Sequence, residues 1–371
     1  MIPFLDLRAP HADLQAEIEA AALRVVRSGH YLLGPELEGF EAEWASFTES
    51  RHAVGLSNGL DALVLALRAL EVGPGDEVIV PSNTYIATWL AVSMVGAKPV
   101  PVEPVPGTWN LDPSRIEPAI GPRTRAIIPV HLYGQPADLA PILELARARR
   151  LVVIEDAAQA HGASYRGRRI GAHADAVCWS FYPGKNLGAL GDGGGLTTDR
   201  DDVADRVRVL RNYGSRVKYH NDVKGVNARL DEIQAAVLRV KLRALEGWNQ
   251  RRRAVADVYL AGLRDTPGIA LPRVQGEREH AWHLFVVDSE SRDDLQRFLA
   301  EQSIATLIHY PIPPHRSGAY ADMQLAEGTL PVAERAARTH LSLPIGPHLT
   351  VEDAKVVVGA VRAYADRSAA G

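Results

Sequence analysis

The chain reads as an α/β protein with a large domain on a mostly parallel sheet and a smaller C-terminal α/β domain. Two patterns predict this. From Gly73 onward, short apolar runs alternate with helical tracts. That order calls for crossover connections, and so for parallel strands covered on both faces. At 371 residues the chain is also too long for one small core. The boundary is placed in the Trp248–Arg253 region, giving 1–250 for the large domain and 251–371 for the small one.

Leu14, Ile18, Ala21, Ala22 and Val25 recur at helical spacing and predict an amphipathic helix over 12–27. A second helix is expected over 35–48, then a strand at His52–Leu56. The small polar turn Ser57-Asn58-Gly59 leads into a strongly apolar helix ending at Leu70. Strands are predicted at Asp76–Pro81, Lys98–Val102, Arg125–Val130 and Leu151–Ile154, with helices at Tyr85–Val95 and Asp138–Arg149. Ala176–Phe181 and Gly194–Thr198 read as strands around a glycine-rich loop that carries Lys185. Asp201–Leu210 is a helix, and Asn212–Asn227 is polar and irregular. A long helical tract starts at Arg229, with Ile233, Val237, Val240 and Leu245 on its apolar face. Arg251, Arg252 and Arg253 are read as a solvated helix face. Farther on come a strand at Ala281–Val287, a helix at Asp293–Gln302, and an irregular loop at His309–His315 suited to lining a pocket.

Composition narrows the function. A formal net charge of −4 gives no reason to expect nucleic acid or an anionic membrane as partner. Cys178 is the single cysteine, which leaves no intrachain disulfide and no multi-cysteine metal site. Within an apolar run, it reads as a buried, inert thiol. The first residues show no basic segment followed by a long apolar one, and no apolar span is long enough to cross a bilayer. No signal peptide is expected, and the cytoplasm is the expected compartment. No G-x-G-x-x-G follows an early strand, which disfavours a dinucleotide-dependent dehydrogenase.

Four needs point to one cofactor: a site for a phosphate, a flat partner for a ring, a carboxylate for a ring nitrogen and a lysine for an aldehyde. The start of the helix after Ser57-Asn58 offers free N–H groups to an anion, and Gly59 lets a phosphate come close; plain capping by Ser57 or Asn58 is the alternative. Lys185, in a loop bounded by strands, can be desolvated into a nucleophile toward an aldehyde. Asp156 and Gln159 follow a strand end, where ligands gather in parallel sheets. Asp156 would keep a ring nitrogen protonated. Together these match the needs of pyridoxal 5′-phosphate.

At this point the chain resembles the DegT/DnrJ/EryC1/StrS sugar aminotransferases, which have the type I, aspartate aminotransferase-like fold. Ser57-Asn58-Gly59, Pro81-Ser82-Asn83-Thr84-Tyr85, Glu155-Asp156-Ala157-Ala158-Gln159, Ser180-Phe181-Tyr182-Pro183-Gly184-Lys185-Asn186-Leu187 and Asn227-Ala228-Arg229-Leu230 stand in the family's order. The resemblance implies that Lys185 bonds the cofactor's aldehyde and that Asp156 meets the pyridine nitrogen. Gln159 would lie near the ring hydroxyl, and Tyr85 would stack on the ring. Ser180, Asn58 and the backbone of Gly59 and Leu60 would hold the phosphate. Many members carry Thr where Leu60 stands, so backbone N–H groups are expected to serve there. Asn227 would reach the phosphate site of a neighbouring subunit, implying a homodimer with shared sites.

Lysine at 185, where some relatives carry His and dehydrate or deoxygenate sugars, implies transamination. The wording around Ala160-His161-Gly162 and Asn186–Asp192 resembles the branch that aminates C3 of a nucleotide-linked keto-6-deoxysugar, a dTDP sugar being expected, with L-glutamate as donor. Amination at C4, or a cofactor-binding regulatory protein without turnover, are the alternatives. His161 is read either as a contact to the sugar or its diphosphate or as structural. Tyr182 and Tyr219 are read as sugar-nucleotide contacts or as core or interface residues. His309 and Tyr310 are expected to line the substrate pocket.

Overall fold

The computed structural model describes residues 1–370. Seven strands form the main sheet: β1 (His52–Leu56), β2 (Glu77–Pro81), β3 (Lys98–Val102), β4 (Thr124–Ile127), β5 (Val152–Asp156), β6 (Ala176–Ser180) and β7 (Gly194–Thr198). Their spatial order is β1-β7-β6-β5-β4-β2-β3. The pairs from β6 to β3 are parallel, and β7 runs antiparallel to both of its neighbours. Alternation along β2 shows why both faces must be covered. Val78 and Val80 enter one apolar cluster and Ile79 another, all with no exposure. β4 is shorter than its apolar run because Pro129 has no N–H to give the ladder.

The helices of this part are α1 (Gln15–Ser28), α2 (Pro35–Phe47), α3 (Gly59–Ala69), α4 (Ala87–Met94), α5 (Leu139–Arg149), α6 (Asp201–Leu210) and α7 (Glu232–Leu242). Central α3 buries Leu63, Val64, Leu65 and Leu67 between the sheet and its neighbours. The opposite face holds a ring-rich cluster with Phe40, Trp44, Trp179 and Phe181.

The helical tract after Arg229 is two helices, α7 and α8 (Leu245–Gly262). The arginine run departs from its sequence reading at one position. Arg251 is exposed, but Arg252 points inward and is buried, donating to the carbonyls of Trp282, His283 and Ile345. Helical periodicity turns one residue of any three to the core side. Beyond α8, β8 (Phe285–Asp288) pairs antiparallel with β9 (His340–Leu343). With α8, α9 (Arg292–Glu301) and α11 (Val351–Ala370), they enclose their own apolar cluster, including Tyr259, Phe285, Leu295, Leu341 and Val357. The strand expected from Ala281 begins only at Phe285. Before it, the N–H groups of Ala281 and Leu284 bond the carbonyls of Gly134 and Tyr133. This docks the C-terminal part onto the loop after β4. The α10 helix (Pro331–Thr339) and α11 were not anticipated from the sequence, and Asn212–Asn227 contains a short hairpin pairing Ser215–Val217 with His220–Asn221.

Candidate active site

The adjacent parallel strands β5 and β6 end side by side, and their register sets Asp156 opposite Cys178. Asp156 closes β5, and its side chain is nearly buried. Burial pushes its carboxyl pKa up; against that push act Thr88, the Ala158 N–H, the Lys185 ammonium and His131, in falling order. Thr88 Oγ1 donates to Asp156 Oδ2 at 2.8 Å, and the Ala158 N–H to Oδ1 at 3.2 Å. Charge-assisted bonds of this kind are what make an ionised carboxylate tolerable in such a place.

Lys185 lies in the turn after β6, closed by its own N–H to the Tyr182 carbonyl and by the Ala189 N–H to the Phe181 carbonyl, each 2.8 Å. Burial lowers its pKa to about 8, while Asp156 pulls the other way. With that value roughly half of the amine is uncharged at pH 8, against well under one part in a hundred for an ordinary lysine. A buried acid whose pKa is pushed up and an amine held partly neutral thus act on each other across one site.

The N-terminus of α3 approaches from the side. Asn58 caps it: Asn58 Oδ1 accepts from the Asp61 N–H at 2.8 Å, and the Asn58 carbonyl from the Ala62 N–H at 3.1 Å. Its Nδ2 donates to Asp61 as well, and Ser57 also donates to Asp61. The capping alternative is therefore the one Asn58's side chain takes. What remains for an anion is the N–H groups of Gly59 and Leu60. Ser180, at the end of β6, lies against this turn. A Cβ on Gly59 would fall 2.8 Å from Ser180 Cβ, so only glycine leaves a cradle there. Leu60 turns its side chain onto the α3 core.

The opposite wall comes from distant segments. Gln159 Oε1 accepts the Tyr133 N–H at 2.5 Å, and its Nε2 donates to Tyr310 Oη at 3.0 Å. Tyr133 Oη donates to the His309 carbonyl at 2.6 Å, and His309 Nδ1 lies 2.8 Å from Ser342 Oγ. Burial first, and then Lys185, lower the His309 pKa to about 4, so the ring is neutral at physiological pH. The Tyr85 and Tyr310 rings are 5.4 Å apart and tilted by 43°, with Tyr85 half open to solvent. Tyr182 is similarly exposed, beside Lys185.

Thus Asp156, Gln159, Tyr85, Ser180, Gly59, Lys185, His309 and Tyr310 converge. Three other residues do not. His161 has no exposed surface and packs among Trp44, Trp179 and Phe181 at 5.4–5.9 Å between ring centroids. Burial drives its pKa to about 3. Of its two readings the structural one fits this burial, since no surface of the ring is open to a sugar within this chain. Tyr219, 86% exposed, sits on the short hairpin near Lys218, and Asn227 is exposed, bridging to Asn212. Neither touches the Lys185 cleft within its own chain.

The sequence reading missed Thr88, Tyr133 and His283. Thr88 follows Tyr85 by three residues, and the Thr88 N–H bonds the Tyr85 carbonyl in the turn that leads into α4; that spacing was the available signal. Tyr133 holds φ at 62°, and His283 Nδ1 lies 3.1 Å from Asn186 Oδ1. Nothing local marks either. Among the described residues, no group of His, Cys, Asp and Glu is placed to hold a metal ion, and no helix is long and apolar enough to cross a membrane.

The family model described as the DegT/DnrJ/EryC1/StrS aminotransferase family matches residues 12–362. The chain belongs to the DegT/DnrJ/EryC1/StrS aminotransferase family. One relative within it is the dTDP-3-amino-3,4,6-trideoxy-alpha-D-glucose transaminase of Streptomyces venezuelae, 58% identical over 99% of this chain and 97% of that one. Another is the dTDP-3-amino-3,6-dideoxy-alpha-D-galactopyranose transaminase of Aneurinibacillus thermoaerophilus, 53% identical over 98% and 99%. Among solved structures of the family, S. venezuelae DesV in complex with a ketimine intermediate superposes with a TM-score of 0.97, at 58% identity and 98% coverage of both chains. As a family member, this protein is a pyridoxal phosphate-dependent aminotransferase of the type I fold.

Proposed function

We propose that this enzyme moves an amino group from L-glutamate to C3 of a dTDP-linked 3-keto-6-deoxyhexose in deoxyaminosugar biosynthesis. The observation that carries the reading is Lys185, on the tight turn after β6, beside the buried Asp156 that closes the adjacent parallel strand β5. The activities by which the S. venezuelae and A. thermoaerophilus relatives are named support C3 and a dTDP sugar.

The residues fit pyridoxal phosphate: the glycine cradle at Gly59 leaves room against Ser180 that any Cβ would fill, and Asp156 supplies a buried acid for a ring nitrogen. When bound, the cofactor supplies an aldehyde that takes up the donor's nitrogen and a ring that absorbs the electrons of the broken C–H bond. In this assignment Lys185 Nζ would hold the cofactor through its aldehyde and, when free, would take up and return the proton of the donor Cα. Asp156 keeps the ring nitrogen's proton in place by its charge. The N–H groups of Gly59 and Leu60, with Ser180 Oγ, hold the phosphate. Asn58 serves by capping the helix that presents those N–H groups. Gln159, fixed from both sides by Tyr133 and Tyr310, meets the ring hydroxyl. Tyr85 covers the ring face, and Tyr182, His309 and Tyr310 line the sugar side.

The active unit in this reading is a homodimer, with Asn227 and Tyr219 completing the partner's site. Their exposure, and that of Tyr213, Val217 and Val223 on the same segment, supports it. The cofactor domain is taken as 1–250 and the smaller domain as 251–371; the separate apolar cluster that begins at Val255 supports the division.

Purified holoenzyme given L-glutamate and the dTDP-linked 3-keto sugar should yield the 3-amino sugar and 2-oxoglutarate. Amination of a 4-keto sugar instead would move the assignment to C4. Cofactor held at Lys185 with no transfer to any keto sugar would make the protein a regulatory one.

A further inference from the structure

Beside the partly buried Lys185 stands a second lysine that is buried outright. Lys241, on α7, is 3% exposed, and burial lowers its pKa to about 8. Among the described residues no carboxylate offsets the cost of burying that ammonium. Its one marked partner is a carbonyl: Nζ donates to Gly188 O at 2.6 Å. Gly188 belongs to the turn that carries Lys185, and the turn is drawn tight there, since a Cβ on Gly188 would fall 2.3 Å from the Pro183 carbonyl oxygen. Lys185, Gly188 and Lys241 line one small cavity with His11 and Arg252, and no acidic residue lines it.

Stability alone gives no reason for lysine at this place. An unpaired buried charge is costly, and methionine would fill similar space without that cost. Something other than stability keeps the ammonium there, and the bond to Gly188 shows where it acts.

We propose that Lys241 is a positioning residue for Lys185: by gripping the Gly188 carbonyl it holds the turn from Tyr182 to Ala189 closed, so that the Lys185 amine stays in the desolvated cleft beside Asp156. The proposal rests on the reading of Lys185 as the amine that holds the cofactor.

The test compares Lys241→Met and Lys241→Gln in kcat, KM and thermal midpoint as holoenzymes and, as apo-proteins given cofactor and borohydride, in the pH dependence of trapping at Lys185. Lys241→Met should lose about tenfold or more in kcat with both KM values within about twofold, since a misplaced reacting group costs rate more than binding. Its thermal midpoint should not fall, and the trapping inflection should climb from about 8 toward that of an ordinary lysine as the turn loosens and water reaches the amine. Lys241→Gln still offers N–H to the carbonyl and should recover most of the rate. Wild-type kcat and inflection in Lys241→Met overturn the proposal. So does a loss of kcat that follows a lowered midpoint and is not recovered by Gln. Should Lys241→Met fail to fold, Lys241→Gln decides: near-normal rate and inflection support the proposal, and a slow but folded enzyme overturns it. Peptide mapping of the trapped, unaltered enzyme comes first. A tag on any lysine other than Lys185 would sink the underlying reading and the proposal with it, whereas a tag at Lys185 with unaltered Lys241→Met behaviour would sink the proposal alone.

Discussion

Replacing Thr88 with valine isolates the electrostatic support of Asp156. The Thr88 hydroxyl is the largest influence opposing the upward push of burial on that carboxyl, through a bond of 2.8 Å. Thr84 Oγ1 lies 2.9 Å from Thr88 Oγ1; since the Thr88 proton goes to Asp156, Thr84 is the donor in that pair. Valine keeps the branched outline and removes the O–H. A hydrogen bond to a charged group contributes roughly 1.5–3 kcal/mol. At about 1.4 kcal/mol per pKa unit, the Asp156 carboxyl should rise by about one to two units. A carboxyl that is neutral over part of the working range cannot hold the ring nitrogen's proton by charge. The acid limb of the kcat–pH profile should therefore move up by about one to two units, and kcat below the new limb should fall about ten- to hundredfold. Steady-state kinetics across pH on holoenzyme measure both, with Thr88→Ser, which restores the donor, as control. An acid limb that does not move, with kcat close to the unaltered enzyme, would refute the assignment of Thr88 as the carboxylate's support.

Cofactor capture by the apo-protein, followed by absorbance, should speed up with pH and level off above about 8, because the neutral amine is the reacting form. A rate still climbing at the pH of an ordinary lysine would mean that Lys185 is not desolvated. Asp156→Asn should slow turnover by orders of magnitude yet stabilise the apo-protein near neutral pH. Burial raises the folded pKa of Asp156 above its ordinary 3.8, so its contribution to stability is present below 3.8 and is lost as pH rises through the folded value. A lower thermal midpoint for Asp156→Asn at neutral pH would contradict that sign. His161→Phe should leave kcat and both KM values within about twofold, as suits a ring enclosed by three aromatic neighbours; a large rise in KM for the sugar would return His161 to the site. Mixing inactive Lys185→Ala and Asn227→Ala chains should restore activity if sites are shared between subunits, and mixed dimers without activity would count against sharing.

Much of the fold was legible because local chemistry and global packing agree. Lys98–Val102, Gly194–Thr198 and Asp201–Leu210 were placed to the residue, since turn residues or charge bound each apolar run sharply. The cofactor-side residues were legible for a related reason. Asp156, Ser180 and Gly59 sit at strand ends or a helix start, and those junctions show in sequence as apolar runs breaking into small or charged residues. The outer wall was only partly legible. His309 and Tyr310 stood out by composition, but their bonds to Tyr133, Gln159 and Ser342 join segments far apart in the chain.

Residues whose place follows from their own segment could be located from the sequence: a lysine on a glycine-rich turn, an acid at a strand end, a glycine opening a helix. Which way a side chain turns, once its element is packed, was left to the tertiary structure. It enclosed His161 among Trp44, Trp179 and Phe181, drew Arg252 inward while Arg251 stayed in water, and set Lys241 against the Gly188 carbonyl. The reason is physical. A residue's place in an element depends on its near neighbours, whereas burial, and with it every shifted pKa described above, depends on what the rest of the chain packs against it.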